Sequence, residues 1–256
     1  MPTIISTPGA AMGWTSKGWS YTNIGTTEKF EAMDGDAKDL YLVGLSGLMV
    51  KCTNKTCSKI TTHVTNSLSG VWVAPNGSVF AAGNQGQVIH YSANWPTASK
   101  VGTEHLRDIW GTSTSDVFAV GDKGAVVRYD GTTWKVMAQT ASTDYLTAVH
   151  GATPTNVWAV GAKGTILRYD GASWKKQTSG TAYHLRDIWA ADATHVVAVG
   201  YSGTVLTWDG VSWKQVAKGK TSRHLQAVWG SSWSDVHVVG SSGASLRVDG
   251  KTWTAG

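Results

Sequence analysis

The sequence predicts an all-β fold: a six-bladed β-propeller of four-stranded antiparallel blades. Three observations carry that expectation. A glycine pair spaced three apart occurs six times, at Gly44/Gly47, Gly83/Gly86, Gly121/Gly124, Gly161/Gly164, Gly200/Gly203 and Gly240/Gly243. Successive pairs lie 39, 38, 40, 39 and 40 residues apart. Each unit breaks into four short runs rich in β-branched and aromatic residues, bounded by Gly, Asp, Ser or Thr. No window keeps a 3.6-residue apolar period, so helix is nearly absent. A period near 40 residues with strand chemistry marks a propeller or a solenoid. One unit of that length cannot bury its own faces. The chain is therefore read as one domain over residues 1–256, with repeats starting near residues 30, 68, 106, 146, 185 and 225.

The first element is the N-terminal segment Trp14-Thr-Ser-Lys-Gly-Trp19. It reads as the start of a fourth strand, because Trp19 precedes Phe30 by 11 residues as Trp174 precedes Leu185. Only three residues follow Trp253. The N-terminal strand is therefore expected to complete the last blade and close the ring, which would remove two exposed edges.

The first unit departs from the others at Cys52-Thr-Asn-Lys-Thr-Cys57. Aligned on the repeat, Cys52 falls at the place of Tyr129 and Cys57 at the place of Trp134. A disulfide across a hairpin end is the expected reading, with a reduced pair as the alternative. A disulfide implies an oxidising compartment, extracellular or periplasmic. Two thiols do not make a structural zinc site, which takes four ligands.

The third unit shows the strands most clearly: Leu106-Arg-Asp-Ile-Trp110-Gly111, Asp116-Val-Phe-Ala-Val-Gly121, Ala125-Val-Val-Arg-Tyr129 and Trp134-Lys-Val-Met-Ala. The first strand carries Trp72, Trp110, Trp189 and Trp229, with His150 in the fourth unit. Before the last strand, Asp-Gly-x-x-Trp recurs, ending at Trp134, Trp174, Trp213 and Trp253. Asp-Gly supplies the positive-φ residue of a tight hairpin, and the tryptophan is expected to pack over that turn. Most of the 14 tryptophans are thus read as structural staples.

The turn Arg128-Tyr-Asp-Gly-Thr-Thr-Trp134 and its copies resemble the Asp-box, or bacterial neuraminidase repeat, of β-propellers. The Asp-box reads Ser/Thr-x-Asp-x-Gly-x-Thr-Trp. Here Asp and Gly are adjacent and the leading Ser/Thr is absent, so the likeness is to a relaxed form met in secreted bacterial propellers and propeller lectins. The resemblance implies architecture; in that family the box is a structural turn far from any active site.

Composition narrows the function. Charged residues are 15% and the formal net charge is +5. The basic residues form no block, which argues against nucleic acid. No apolar stretch approaches the roughly 18 residues of a membrane span. The start, Met1-Pro2-Thr3-Ile4-Ile5, does not read as a signal peptide. No cofactor motif occurs. Arg128, Arg168 and Arg247 share one repeat position with Lys51 and His90, and Asp39, Asp116 and Asp235 share another. Recurrence marks scaffold, so neither set reads as an arginine triad or as the opposed carboxylates of a glycosidase. The chain is expected not to be an enzyme.

Ligand contacts are expected on the face where loops entering the first strand meet loops joining the second and third. The first set holds His105, Tyr145, His184 and His224, and the second holds Asp122, Lys123, Lys163 and Tyr201. Both are expected to be exposed and free of packing. Three histidines at one repeat position suggest either a metal ring or hydrogen-bonding turn residues, and the latter is preferred because no carboxylate repeats beside them. Trp233, which the repeat does not require, is a further candidate on the opposite face. Aromatic and imidazole rings beside Lys, Asp and Ser suit glycans, so a lectin with several quasi-equivalent sites is the first expectation. The alternative is a secreted or surface protein-interaction scaffold, and an Asp-box hydrolase ranks last. The sequence leaves the oligomeric state open.

Overall fold

Alternation of apolar and polar residues folds each unit into a four-stranded antiparallel sheet whose strands follow chain order. The computed structural model describes residues 27–255 apart from 37, 55 and 138–141, and the backbone of 3–7, 10–15 and 18–23. Blade 3 is typical, with strands Leu106–Ser113, Asp116–Gly121, Val126–Tyr129 and Trp134–Val136. Six such sheets form, as the repeat requires. Their inner strands, Phe30–Gly35, Leu68–Val73, Leu106–Ser113, Leu146–Thr153, Leu185–Ala190 and Leu225–Ser232, lie side by side in chain order.

The core lies between blades. Every residue of the second strands Val79–Gly83, Asp116–Gly121, Asn156–Gly161 and Val196–Gly200 is buried. Such strands are covered on both faces, which explains their continuous apolar runs. Each Gly-x-x-Gly makes one tight turn after the second strand. In blade 3, a Cβ on Gly121 would run into the His105 carbonyl, and Gly124 sits at φ 71°. The first glycine allows a close backbone approach; the second takes a left-handed conformation.

The Asp-Gly-x-x-Trp turns are tight hairpins. Asp130 accepts from the Thr132 and Thr133 amides at 3.0 and 2.9 Å, and Gly131 has φ 93°. The tryptophan follows each turn as the first residue of the fourth strand. It pairs across the hairpin, Tyr129 with Trp134 and Tyr169 with Trp174. It also packs on the preceding blade: the Trp174 ring stands edge-on to Phe118 at 6.0 Å, and Trp213 to Trp158 at 5.3 Å. In blade 1, Cys52 and Cys57 hold the same pair of positions and are joined by a disulfide.

The seam differs from the sequence expectation. The last blade is completed by its own strand, Trp253–Ala255, paired with Ser245–Val248. Three residues suffice because the fourth strand is the outermost; Trp134–Val136 is equally short. The N-terminal strands β1 (Thr3–Thr7), β2 (Ala10–Thr15) and β3 (Gly18–Asn23) instead form a separate three-stranded sheet, with β1 against Phe30–Gly35 of blade 1.

Candidate functional site

The candidate site starts from backbone geometry. In each blade the turn after the second strand donates an amide to the residue just before the inner strand. Examples are Asp122 to the His105 carbonyl at 2.9 Å, Ala162 to Tyr145 at 3.0 Å and Tyr201 to His184 at 2.9 Å. These bonds put the two loop sets on one rim.

On that rim the side chains meet across blades 4, 5 and 6. The Tyr145 hydroxyl and His184 Nδ1 share a hydrogen bond of 2.8 Å, and their rings are stacked, 5.7 Å apart. His184 continues to Tyr201 at 5.5 Å, and Tyr201 stacks on His224 at 4.4 Å. Arg107 of blade 3 lies over the Tyr145 ring at 5.1 Å. The result is a ladder Arg107–Tyr145–His184–Tyr201–His224. Tyr145, His184 and Tyr201 are half-buried in it and His224 is exposed, so the rim residues are not the free decorations the sequence suggested. Ala162, in the same set of turns, is buried outright.

The charged candidates are paired. Asp122 accepts from Arg107 Nε at 2.6 Å, Lys123 meets Glu104 at 3.1 Å and Lys163 meets Asp144 at 3.0 Å. Lys163 beside Asp144 holds that carboxyl below its usual range. Lys123 and Lys163 remain about three-quarters exposed, so such pairs contribute little to stability. His105 shares a 3.3 Å hydrogen bond with Ser69, and partial burial, then Arg107, pushes its imidazole below the ordinary value. The three rim histidines therefore each have a partner of their own. Among the described residues, no group of three or more His, Cys, Asp or Glu side chains is placed to hold a metal ion.

Beside the ladder opens a cavity of about 360 Å³, lined by Glu31, Ser69, Arg107, Thr147 and Arg186 together with His105. The first five are the second residues of five inner strands. Arg186 donates to Gln226, the corresponding residue of blade 6, at 3.2 Å. Sequence reasoning missed this ring. Its signal was the second position of each inner strand, which alternation turns away from the core and which varies freely between repeats.

One position further along the inner strands of blades 3 and 5, the side chains are spent on the blade joints. Asp108 accepts from the Val149 amide of blade 4 at 2.8 Å, and Asp187 from the Val228 amide of blade 6 at 2.7 Å. Asp34 does the same for Val73 at 2.7 Å. Burial pushes the Asp108 carboxyl up to about 7 and Asp187 up to about 6. The recurring carboxylates at the second-strand start are likewise occupied: Asp116 by Arg128 and Thr112, Asp39 by Lys51 and Thr53, Asp235 by Arg247 and Ser231. Trp233 donates to the Gly250 carbonyl at 3.1 Å and lies 4.8 Å from the His195 ring. It braces the Asp249-Gly250 turn, apart from the ladder.

No family model matches the chain, and no curated protein matches it in sequence. Solved structures do match in fold. YCF48 bound to D1 peptide superposes with a TM-score of 0.69 at 16% identity, covering 91% of this chain and 82% of that one. YCF48 from Cyanidioschyzon merolae gives 0.68 at 16%, covering 90% and 85%. The chain is a β-propeller by this likeness and by its six four-stranded sheets.

Proposed function

We propose that this propeller is a non-catalytic interaction module, one domain in extent, that holds an extended segment of a protein partner on the rim of blades 3 to 6. The observation that carries the reading is the ladder Arg107–Tyr145–His184–Tyr201–His224 running beside the cavity at Arg107 and Arg186. Stacked rings offer large apolar faces at little cost in side-chain entropy, and aromatic and Arg residues dominate binding energy at protein interfaces. The guanidiniums favour a segment with carboxylates. A propeller of similar fold is named for its bound D1 peptide, which supports a peptide partner for this site.

The glycan reading draws on the same rings, but the neighbour named for a bound ligand is named for a peptide. The interaction scaffold therefore takes precedence. The disulfide supports an extracellular or periplasmic setting. The Asp-Gly-x-x-Trp turns keep the role the relaxed Asp-box implies, that of structural hairpins away from the rim.

The test is a random peptide array and a glycan array probed with wild type, with Arg107→Ala/Arg186→Ala and with His184→Ala/Tyr201→Ala. We expect acidic peptides to be retained by wild type and lost by both double variants. Saturable sugar binding lost on the His184/Tyr201 change would make the protein a lectin. Peptide binding indifferent to both double variants would overturn the rim as the site.

A further inference from the structure

A second site lies where blade 4 departs from the repeat, and it does not depend on the rim. Third strands carry a cation at one repeat position: Lys51, Arg128, Arg168 and Arg247. Three of these have a carboxylate at the start of the second strand. Lys51 meets Asp39 at 2.9 Å, Arg128 meets Asp116 at 2.6 Å and Arg247 meets Asp235 at 3.2 Å. In blade 4 the carboxamide of Asn156 stands in that place. Two further supports change with it. Thr112, which donates to Asp116, is matched by Ala152. Tyr169, whose hydroxyl accepts from Arg128 Nη1, is matched by Trp208 of blade 5.

The outcome is a cluster of buried polar atoms. Arg168 Nε, Asn156 Nδ2 and Oδ1, and the indole nitrogens of Trp158, Trp208 and Trp213 have no hydrogen-bond partner among the described residues. Trp158 pairs with Arg168 across the second and third strands, and Asn156, two residues before Trp158, shares its face. The Arg168 guanidinium stands 5.0 Å from the Trp158 ring and 5.6 Å from the Trp208 ring. The three indoles lie 5.1, 5.3 and 5.9 Å apart. These ring contacts do not stand in for the missing carboxylate, because Arg128 has two of its own and the Asp116 carboxylate as well. All the unpartnered atoms are N–H donors except Asn156 Oδ1. Buried donors without acceptors are costly. Around one guanidinium, such a set suits an acceptor of negative charge better than water, which must also donate.

We propose that the joint between blades 4 and 5 binds a halide ion, chloride or bromide, in the place that the Asp116 carboxylate takes in blade 3. There Arg128 Nε donates to Asp116 at 2.7 Å. In blade 4 the ion accepts from Arg168 Nε and the Asn156 carboxamide, and the Trp158 and Trp208 indoles complete its shell. A guanidinium donating to an anion makes one of the stronger hydrogen bonds. Rings this close admit a single atom rather than a tetrahedral oxyanion. The site is at the start of the second strand Asn156–Gly161, whereas the rim turn follows its end.

The probe is sodium chloride or bromide, titrated into the full chain at an ionic strength held constant with sodium gluconate. We expect a saturable rise in melting temperature, about 3–6 °C at about ten times the dissociation constant. Asn156→Asp returns the carboxylate of the other blades. That variant should melt in gluconate where the wild type melts in chloride, and should lose the chloride response. Arg168→Gln keeps a long polar side chain without the charge and should weaken halide binding by at least about tenfold. Crystals soaked in bromide should show an anomalous peak within hydrogen-bond reach of Arg168 Nε. Equal melts in chloride and gluconate, the result expected of a bound water, would overturn the proposal. So would a wild-type chloride response in Asn156→Asp, or bromide found only elsewhere. If Asn156→Asp does not fold, the bromide position and the Arg168→Gln titration decide the matter. Loss of array peptides from the rim variants leaves this titration unchanged, so the two readings fail separately.

Discussion

Trp110 of blade 3 ends against Gly151 of blade 4, where an added Cβ would stand 2.9 Å from the ring. One joint further on, His150 takes the place of the tryptophan and Ala190 that of the glycine. The Ala190 amide donates to His150 Nδ1 at 3.1 Å. The smaller ring leaves room for the methyl group and gives the amide an acceptor. Gly151→Ala should therefore destabilise by about 1–3 kcal/mol through overpacking. Adding Trp110→Ala should recover only part of the loss, because the Asn156 carbonyl lies 2.7 Å from the same Cβ. Urea midpoints of the single and double variants check both statements, and full recovery would mean that the hairpin carbonyl does not matter.

The disulfide offers a second measurement. Cys52 and Cys57 are five residues apart in a hairpin at the outer edge of blade 1. In the chain-entropy account a loop this short gives about 2 kcal/mol. Cys52→Ser/Cys57→Ser, or reduction of the wild type, should lower stability by that amount and leave the fold intact. Calorimetry with and without reductant reads the change; a drop well beyond it would show that the bridge organises more than its hairpin.

The blades, their strand starts and the cysteine pair were legible in the sequence because the repeat aligns six copies of one solution. Cys52 and Cys57 fell at places where two side chains already face each other. The seam was not legible. Trp19 and Trp253 align to the same position, and alignment alone does not say whether they share one sheet or lie in two. The stacking of Tyr145 on His184 depends on the rotation between blades, which leaves no mark in either unit. Asp108 reads as an ordinary polar residue of an exposed strand face; only the convergence of inner strands near the axis buries its carboxyl. Trp233 looked free because the repeat does not need it, yet the Gly250 carbonyl gives its indole a partner.

Two tryptophans should behave in opposite ways. Trp174 is buried against Phe118 and Tyr169, and its indole N–H points to the Met137 sulfur at 3.4 Å. Trp95 is 69% exposed on an outer strand. Trp174→Ala should cost about 3–5 kcal/mol. Trp95→Ala should stay within about 0.5 kcal/mol. Thermal melts of the two variants decide it, and similar losses would show that Trp95 is covered in solution.

Stability should vary with pH through three groups whose effects oppose one another. Asp108 and Asp187 ordinarily titrate near 3.8 and are raised by burial to about 7 and about 6. Each binds its proton more firmly in the fold than in the unfolded chain. Their contribution is complete below pH 3.8 and is lost as pH rises through 6 and 7. His150 runs the other way. Burial lowers it from 6.5 to about 4, so its contribution is complete above pH 6.5 and is lost as pH falls toward 4. Two carboxyls outweigh one histidine, so the wild type should lose stability as pH rises from 4 to 6, less steeply than the carboxyls alone dictate. Asp108→Asn/Asp187→Asn keeps an acceptor oxygen for the Val149 and Val228 amides but removes the titration. That variant should gain stability as pH rises across the window, exposing the histidine. His150→Gln should show the reverse slope, losing stability as the carboxyls ionise. Guanidinium midpoints at pH 4, 5, 6 and 7 would separate the three curves, and a double variant with the wild-type profile would mean that the two carboxyls are already ionised in the fold.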